Sequence, residues 1–213
     1  ETPGDAALNR AYFAGMVGWQ LQSVAGERQT LWLPWLVYDG AIFFDSAQLQ
    51  AGARVWEQDA TRIDVIAQPR LGLEPGTDPG LAGVRRRRTT LEAGPRAQWK
   101  SAAWMGSVAY LHGIGADGDG SAVSAMLSRS LRLAAVEWIP SLEIRRESRA
   151  LVHQQYGVSV EESRPSRPVY DGRATTVANV GLTAVYEKQA RYVLVASAIE
   201  QFPGTGIRDS PIV

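Results

Sequence analysis

A chain of 213 residues carrying 22 basic and 22 acidic side chains has no net charge, so its bulk electrostatics point to no nucleic acid or other strongly charged partner. The absence of cysteine excludes disulfide frameworks, thiol catalysis and thiolate metal centres together. The longest apolar runs, Leu31 to Val37 and Val193 to Ile199, are too short to cross a bilayer as helices, so residence in a membrane requires a closed β-barrel.

The length suits a single all-β domain, and Pro3 and Gly4 mark residues 1 to 10 as a loose start. Glu1 follows no apolar leader, which reads as a mature form after removal of a signal peptide. Ala11 to Gln22 predicts a first strand, with Phe13, Val17, Trp19 and Leu21 on one face. Leu31 to Tyr38 predicts a second, interrupted by Pro34 and reversing at Asp39-Gly40, a dipeptide favoured in tight hairpins. Beyond Phe44, a long third strand alternates Ala47, Leu49, Ala51, Ala53 and Val55 against Gln48, Gln50 and Arg54. From Thr61, Ile63, Val65, Ala67, Leu71 and Leu73 alternate with Arg62, Asp64, Gln68, Arg70 and Glu74. A long loop, Pro75 to Arg88, follows and ends in four arginines.

Thr89 to Lys100 changes chemistry at every residue. Leu91, Ala93, Pro95, Ala97 and Trp99 take one face, and Glu92, Gly94, Arg96, Gln98 and Lys100 the other. The alternation passes through Pro95 without changing phase, which keeps the segment a strand although proline donates nothing to a ladder. Further strands are expected over Ala103 to His112, Val123 to Leu131, Val136 to Arg145, Ala174 to Tyr186 and Tyr192 to Ile199. Trp104, Val108 and Tyr110 share a face in the first of these. A Gly/Asp loop spans Gly113 to Ser121, and a second long connection Arg146 to Pro168. No segment of useful length has helical periodicity.

The sum is about ten antiparallel strands in an up-and-down order, mostly long enough to span a bilayer at a tilt. Short turns near residues 58, 101, 134 and 188 fall at one end and most long loops at the other, the asymmetry of outer-membrane barrels. Trp99, Trp104 and Tyr186 sit beside the short turns on the apolar face, as an interfacial aromatic girdle does, whereas Trp56 is in phase with the polar side. Two architectures share this pattern: a soluble barrel or sandwich with a wet polar face, and a membrane barrel with a polar interior.

Several stretches in order resemble the family of MltA-interacting protein and OmpV, outer-membrane barrels of Gram-negative bacteria. They are Leu33-Pro34-Trp35-Leu36-Val37-Tyr38-Asp39-Gly40 with Phe43-Phe44, then Leu91-Glu92-Ala93-Gly94-Pro95, Tyr156-Gly157-Val158-Ser159 with Glu161-Glu162-Ser163, and Asp209-Ser210-Pro211-Ile212-Val213. The resemblance runs from about Trp19 to the end. It implies a transmembrane β-barrel of about 10 to 12 strands in the outer membrane, in contact with lipid and lipopolysaccharide. It also implies an adaptor role, which for the family's namesake means joining a murein-degrading transglycosylase to a murein synthase. Family members continue past Ser-Pro-Ile-Val into a last strand, so the closing strand is expected to be missing here or replaced by another segment.

The charged alternation places Arg62, Asp64, Arg70, Glu92, Arg96, Lys100, Glu137, Glu143 and Arg145 in the lumen. Their mixed signs favour cross-strand pairs that plug a narrow barrel over an open pore. Arg85, Arg86, Arg87 and Arg88 form either a solvated loop base or a contact for lipopolysaccharide phosphates, which suit guanidinium forks. His112 and His153 are the chain's two histidines. His153, Ser159 and Glu161 share one loop, but nothing in the sequence orients the imidazole or supplies an oxyanion donor. The competing reading makes Ser159 the cap of a short helical turn, with Glu162 at the capping-box position. Asp117 and Asp119 lack the spacing and terminal glutamate of a calcium loop. The expectation is a barrel without enzymatic activity, cofactor or metal, with a small pore as the alternative and a lipid-modifying hydrolase behind it.

Overall fold

The structure, a computed structural model, describes residues 10–21, 28–45, 49–73, 81–115, 119–188 and 192–213, with 10–39, 187–188 and 192–194 described as backbone alone. The expected loose start, the turn near 188 and Asp117 fall outside these residues, as do the side chains assigned to the faces of the first strand. The described chain forms β1 (Arg10–Leu21), β2 (Arg28–Asp39), β3 (Ile42–Asp45), β4 (Gln50–Gln58), β5 (Thr61–Arg70), β6 (Thr90–Lys100) and β7 (Trp104–Ile114). There follow β8 (Ser121–Arg129), β9 (Leu131–Leu133), β10 (Val136–Glu147), α1 (Arg149–Tyr156), β11 (Thr175–Lys188), β12 (Tyr192–Phe202) and α2 (Thr205–Arg208).

All strands join one antiparallel sheet in sequence order, the up-and-down meander that the alternating segments predict. β9 continues β8 without a change of register, since Ser128 faces Ser141 and Leu131 faces Trp138 on the same partner, β10. Among the described residues no ladder joins β1 to β12. The sheet is nevertheless strongly curled. β5 and β10 are four strand steps apart, about 19 Å along a flat sheet, yet Arg70 Nη1 on β5 lies 3.3 Å from Glu147 Oε1 on β10.

Reversals at residues 40–41, 59–60, 101–103 and 134–135 lie at one end of the meander, and the long segments 71–89 and 148–174 lie at the other. Asp59 (φ 51°) and Ala134 (φ 54°) adopt the left-handed backbone that two-residue hairpins need. These will be called the short-turn end and the long-loop end.

The faces of the sheet are inverted relative to a soluble protein. Ile63, Val65, Leu91, Val108, Tyr110, Val123, Leu142, Ile144 and Val180 are exposed on the outer surface, while Asp64, Glu92, Arg96 and Glu147 are buried inside the curl. A soluble monomer rarely leaves an apolar surface that continues over so many neighbouring strands. A small apolar cluster of Phe43, Ile66, Ala109 and Leu111 shares the interior with the charges.

Four features depart from the sequence reading. Ile42–Asp45 forms a strand of its own, with Leu49 in left-handed conformation (φ 50°) near the next reversal, so the long third strand begins at Gln50. A run of four residues gave too little alternation to be read as a strand. Pro34 does not interrupt the second strand, which pairs continuously with β1 through Pro34 opposite Gly15. Trp56 is not on the polar side. A register shift between Arg54 and Trp56 advances the alternation by one residue, so that Trp56 faces Ile63 and joins Trp99 and Trp104 on the outer surface. Finally, Arg146 to Pro168 is not wholly irregular, since Ser148 caps helix α1 by accepting from the Leu151 backbone N–H.

Gly94-Pro95 shows why a strand accepts both residues. Pro95 occupies an outward position with no N–H to give, and the ladder to β7 resumes in the same register at Arg96 opposite Ala109. A Cβ at Gly94 would lie 2.0 Å from the Tyr110 carbonyl oxygen, so the close approach of β7 requires glycine there.

Candidate functional site: a filled lumen beneath a cap

Because strand side chains alternate, β5, β6 and β10 each project every second residue into the curl, and their charges meet there. Arg96 on β6 donates through Nη2 to Asp64 Oδ2 at 2.8 Å and through Nη1 to Gln50 Oε1 on β4. Arg62 reaches the same carboxylate at 3.3 Å and donates to Gln98 Oε1 at 2.5 Å. The Phe43 ring lies under both guanidinium groups, 5.1 Å from Arg96 and 5.7 Å from Arg62. Nearer the long-loop end, Arg70 binds Glu92 at 2.6 Å, and Arg145 lies 3.2 Å from both Glu92 and Glu147. Gln50 donates to Gln68 at 3.1 Å, and Gln68 to Glu92 at 3.5 Å, which joins the two groups into one network.

Of the charged positions predicted for the lumen, Arg62, Asp64, Arg70, Glu92, Arg96 and Arg145 belong to this network. Glu143 accepts from Asn179 Nδ2 at 2.8 Å, and Glu137 from Ser130 Oγ at 2.5 Å. Lys100 stands at the exposed end of β6, lining a cavity of about 280 Å³ with Glu57, Asp59 and Arg62 at the short-turn end. Glu147 is the member that sequence reasoning missed. It falls within the connection expected over Arg146 to Pro168, although its position extends the parity of Glu143 and Arg145 by one step.

The long-loop end is covered by a cap made of three chain segments. Leu81, Val84, Val158 and Ile212 form one apolar cluster, and Val152, Val177 and Ile207 a second. Ser148 accepts from the Ser121 backbone N–H at 2.9 Å, fixing α1 to the start of β8. Ser210 Oγ donates to the Tyr156 carbonyl at 2.7 Å, and the Tyr170 hydroxyl to the Gly206 carbonyl at 2.7 Å. The Tyr156-Gly157-Val158-Ser159 and Asp209-Ser210-Pro211 stretches, 50 residues apart in the chain, are therefore one packed unit. Burial and the Glu147 carboxylate raise the Tyr156 phenol above its ordinary pKa.

Glu162 ties the arginine run to the cap. Its carboxylate accepts from Arg87 Nη2 at 2.9 Å, from the Arg85 backbone N–H at 2.7 Å and from the Ser159 backbone N–H at 3.0 Å. Burial alone would raise this carboxyl, but the Arg87 guanidinium and the two backbone donors outweigh it and hold the pKa to about 2. The bond to Ser159 is the glutamate arm of the capping box read from the sequence. Arg167, buried and unremarked in the sequence, donates to the Glu162 and Ala82 carbonyls at 2.9 and 3.1 Å.

Arg86, Arg87, Arg88, Asp119, His153, Gly157, Ser159 and Glu162 border a cavity of about 470 Å³ at this end. His153 and Ser159 thus share a cavity, but His153 Nδ1 faces Asp171 at 3.2 Å and Glu161 is exposed beyond the rim. The Ser159 hydroxyl is close enough to lower the Glu161 carboxyl below its ordinary value, yet makes no hydrogen bond of good geometry. His112 is exposed on the outer face of β7. A family model described as MltA-interacting protein MipA matches residues 14–213. No curated protein and no solved structure matches the chain.

Proposed function

The chain belongs to the MltA-interacting protein MipA family, and from that premise we propose that it is an outer-membrane β-barrel acting as a non-enzymatic adaptor in the cell envelope. The observation that carries this reading is the inverted sheet, with aliphatic side chains outward and a buried ionic network inward. In hydrocarbon the outer face loses nothing, and the ions have protein partners instead of lipid. With short turns toward the periplasm, Trp56, Trp99 and Trp104 lie at the inner interface of the bilayer and the cap faces outward.

An adaptor needs a stable wall and a presented surface, not a passage. The network bridges opposite parts of the curl, from β5 to β10, and the cap covers the long-loop end, which favours a plugged barrel over a channel. The family's name describes interaction with MltA, and the periplasmic turns at Asp59-Ala60, Ser101-Ala103 and Ala134-Ala135 are the surface offered to such a cell-wall enzyme. Photo-crosslinkers at Asp59, Ser101 and Ala134 in intact cells test this. The adaptor reading expects a murein hydrolase or synthase among the products, absent when the crosslinker is moved to Val160 or Val169 in the cap. Recovery of no envelope protein from any of the three turns overturns it.

A further inference from the structure

Along β8 the odd positions Val123, Ala125, Leu127 and Arg129 are exposed on the outer surface, so the strand ends in an arginine that points the same way as its aliphatic side chains. Arg129 pairs across the ladder with Trp104, and its guanidinium stacks on that indole, 5.1 Å from the ring. Trp99 lies over Gly106 on one flank, and Leu131 pairs with Trp138 on the other, so the cation sits within the aromatic girdle of the short-turn end. The neighbouring cations Lys100 and Arg132 take the inward parity. Among the described residues the Arg129 side chain makes no ion pair and no hydrogen bond. The surrounding wall offers it no carboxylate. β7, β8 and β9 contain no acidic residue, and Glu137, Glu143 and Glu147 on β10 all take the inward parity.

We propose that Arg129, held against Trp104, binds the phosphate of an anionic diacyl phospholipid of the phosphatidylglycerol type. The inference rests on the membrane-barrel reading, which sets this end of the wall at the inner interface of the bilayer. A guanidinium facing lipid is tolerated near an interface, where phosphates replace the water it loses. One stacked by its face keeps its N–H groups, which lie in its plane, for such an acceptor. Exposed Val123 and Leu127 on β8, Val108 on β7 and Leu142 and Ile144 on β10 form an apolar track for the acyl chains. The class of headgroup follows from the missing carboxylates. An ethanolamine headgroup brings an ammonium that this wall cannot pair, whereas a glycerol headgroup leaves the phosphate charge to the arginine.

The test uses the full chain in phosphatidylcholine vesicles, with Trp104 retained and the other tryptophans replaced by phenylalanine. Quenching of Trp104 is read with small fractions of phosphatidylglycerol, phosphatidylethanolamine or phosphatidylcholine brominated on the acyl chains. Heat-modifiable migration establishes folding beforehand, and a chain retaining only Trp56 is the reference. The proposal expects phosphatidylglycerol to associate at Trp104 roughly fivefold more strongly than phosphatidylcholine. Phosphatidylethanolamine should show no such preference, and Trp56 should show none for any lipid. Arg129→Gln should abolish the preference, and Arg132→Ala, which removes the adjacent cation of opposite parity, should keep it. Equal quenching of Trp104 by all three lipids, or the same loss in Arg132→Ala, overturns the proposal while leaving the wall in the bilayer. No quenching by any brominated lipid overturns the membrane reading as well. Should the tryptophan replacements prevent folding, native mass spectrometry compares the unmodified chain with Arg129→Gln. The variant should then lose a tightly retained phosphatidylglycerol, and equal retention overturns the proposal.

Discussion

Single residues carry much of this structure because the interior charges are paired with one another around the buried Asp64, Glu92, Arg96 and Glu147. Removing Glu92 strips Arg70 of its 2.6 Å partner and takes from Arg145 one of two carboxylates. Glu92→Ala is expected to cost about 3 kcal/mol or more in urea unfolding from detergent, and the Glu92→Ala/Arg70→Ala pair less than the sum of the single changes. Gly94→Val is expected to destabilise by about 1 to 3 kcal/mol in the same assay, since its Cβ meets the rigid Tyr110 carbonyl and not a movable side chain. Glu162 sets the acid limit of the cap. Its folded pKa of about 2 lies below the ordinary 4.5, so its contribution, roughly 3 kcal/mol, is complete above pH 4.5 and lost as the pH falls toward 2. Amide exchange of Leu151 to Val158 should accelerate over that window, and Glu162→Gln should show fast exchange at neutral pH with no further step.

At the scale of elements, alternation was legible wherever a strand ran straight for about ten residues. β5, β6 and β10 begin or end within three residues of expectation, and of the charges read as inward Asp64, Glu92 and Arg96 are buried while Lys100 is exposed. The misreadings have local causes. A bulge changes parity without any compositional sign, which put Trp56 on the wrong face. β3 is too short to show a period, and α1 buries Leu151, Val152 and Gln155 in a stretch whose mean polarity resembles a loop. The cap could not be read from the sequence because its contacts join segments 70 to 85 residues apart, such as Arg87 with Glu162 and Arg167 with Ala82. The bulge carries its own test. Single-tryptophan chains retaining Trp56, Trp99 or Trp104 should be quenched to the same shallow depth by brominated lipids, and deletion of Val55, the extra residue between Arg54 and Trp56, should leave Trp56 opposite Ile63 and still quenched.

For the whole molecule, the sheet's inversion decides how everything else is understood. Were the outer aliphatic belt in water, it would be an aggregation surface, and the interior ions would have given up hydration for no gain. In a bilayer the same distribution would be the stable one, and on the adaptor reading proposed above the lumen network fills the passage that a polar interior would otherwise open. The native chain has no cysteine, so single cysteines can be placed along β6 from Leu91 to Trp99 and spin-labelled in lipid vesicles. Collision rates with oxygen, which concentrates in hydrocarbon, and with a water-soluble nickel chelate then report each position's surroundings. The account expects a period of two: high oxygen and low nickel access at Leu91, Ala93, Pro95 and Ala97, and low access to both at Glu92 and Arg96, with Gly94 left unlabelled because no side chain fits there. Nickel access at the aliphatic positions, or freely hydrated labels at Glu92 and Arg96, would contradict it.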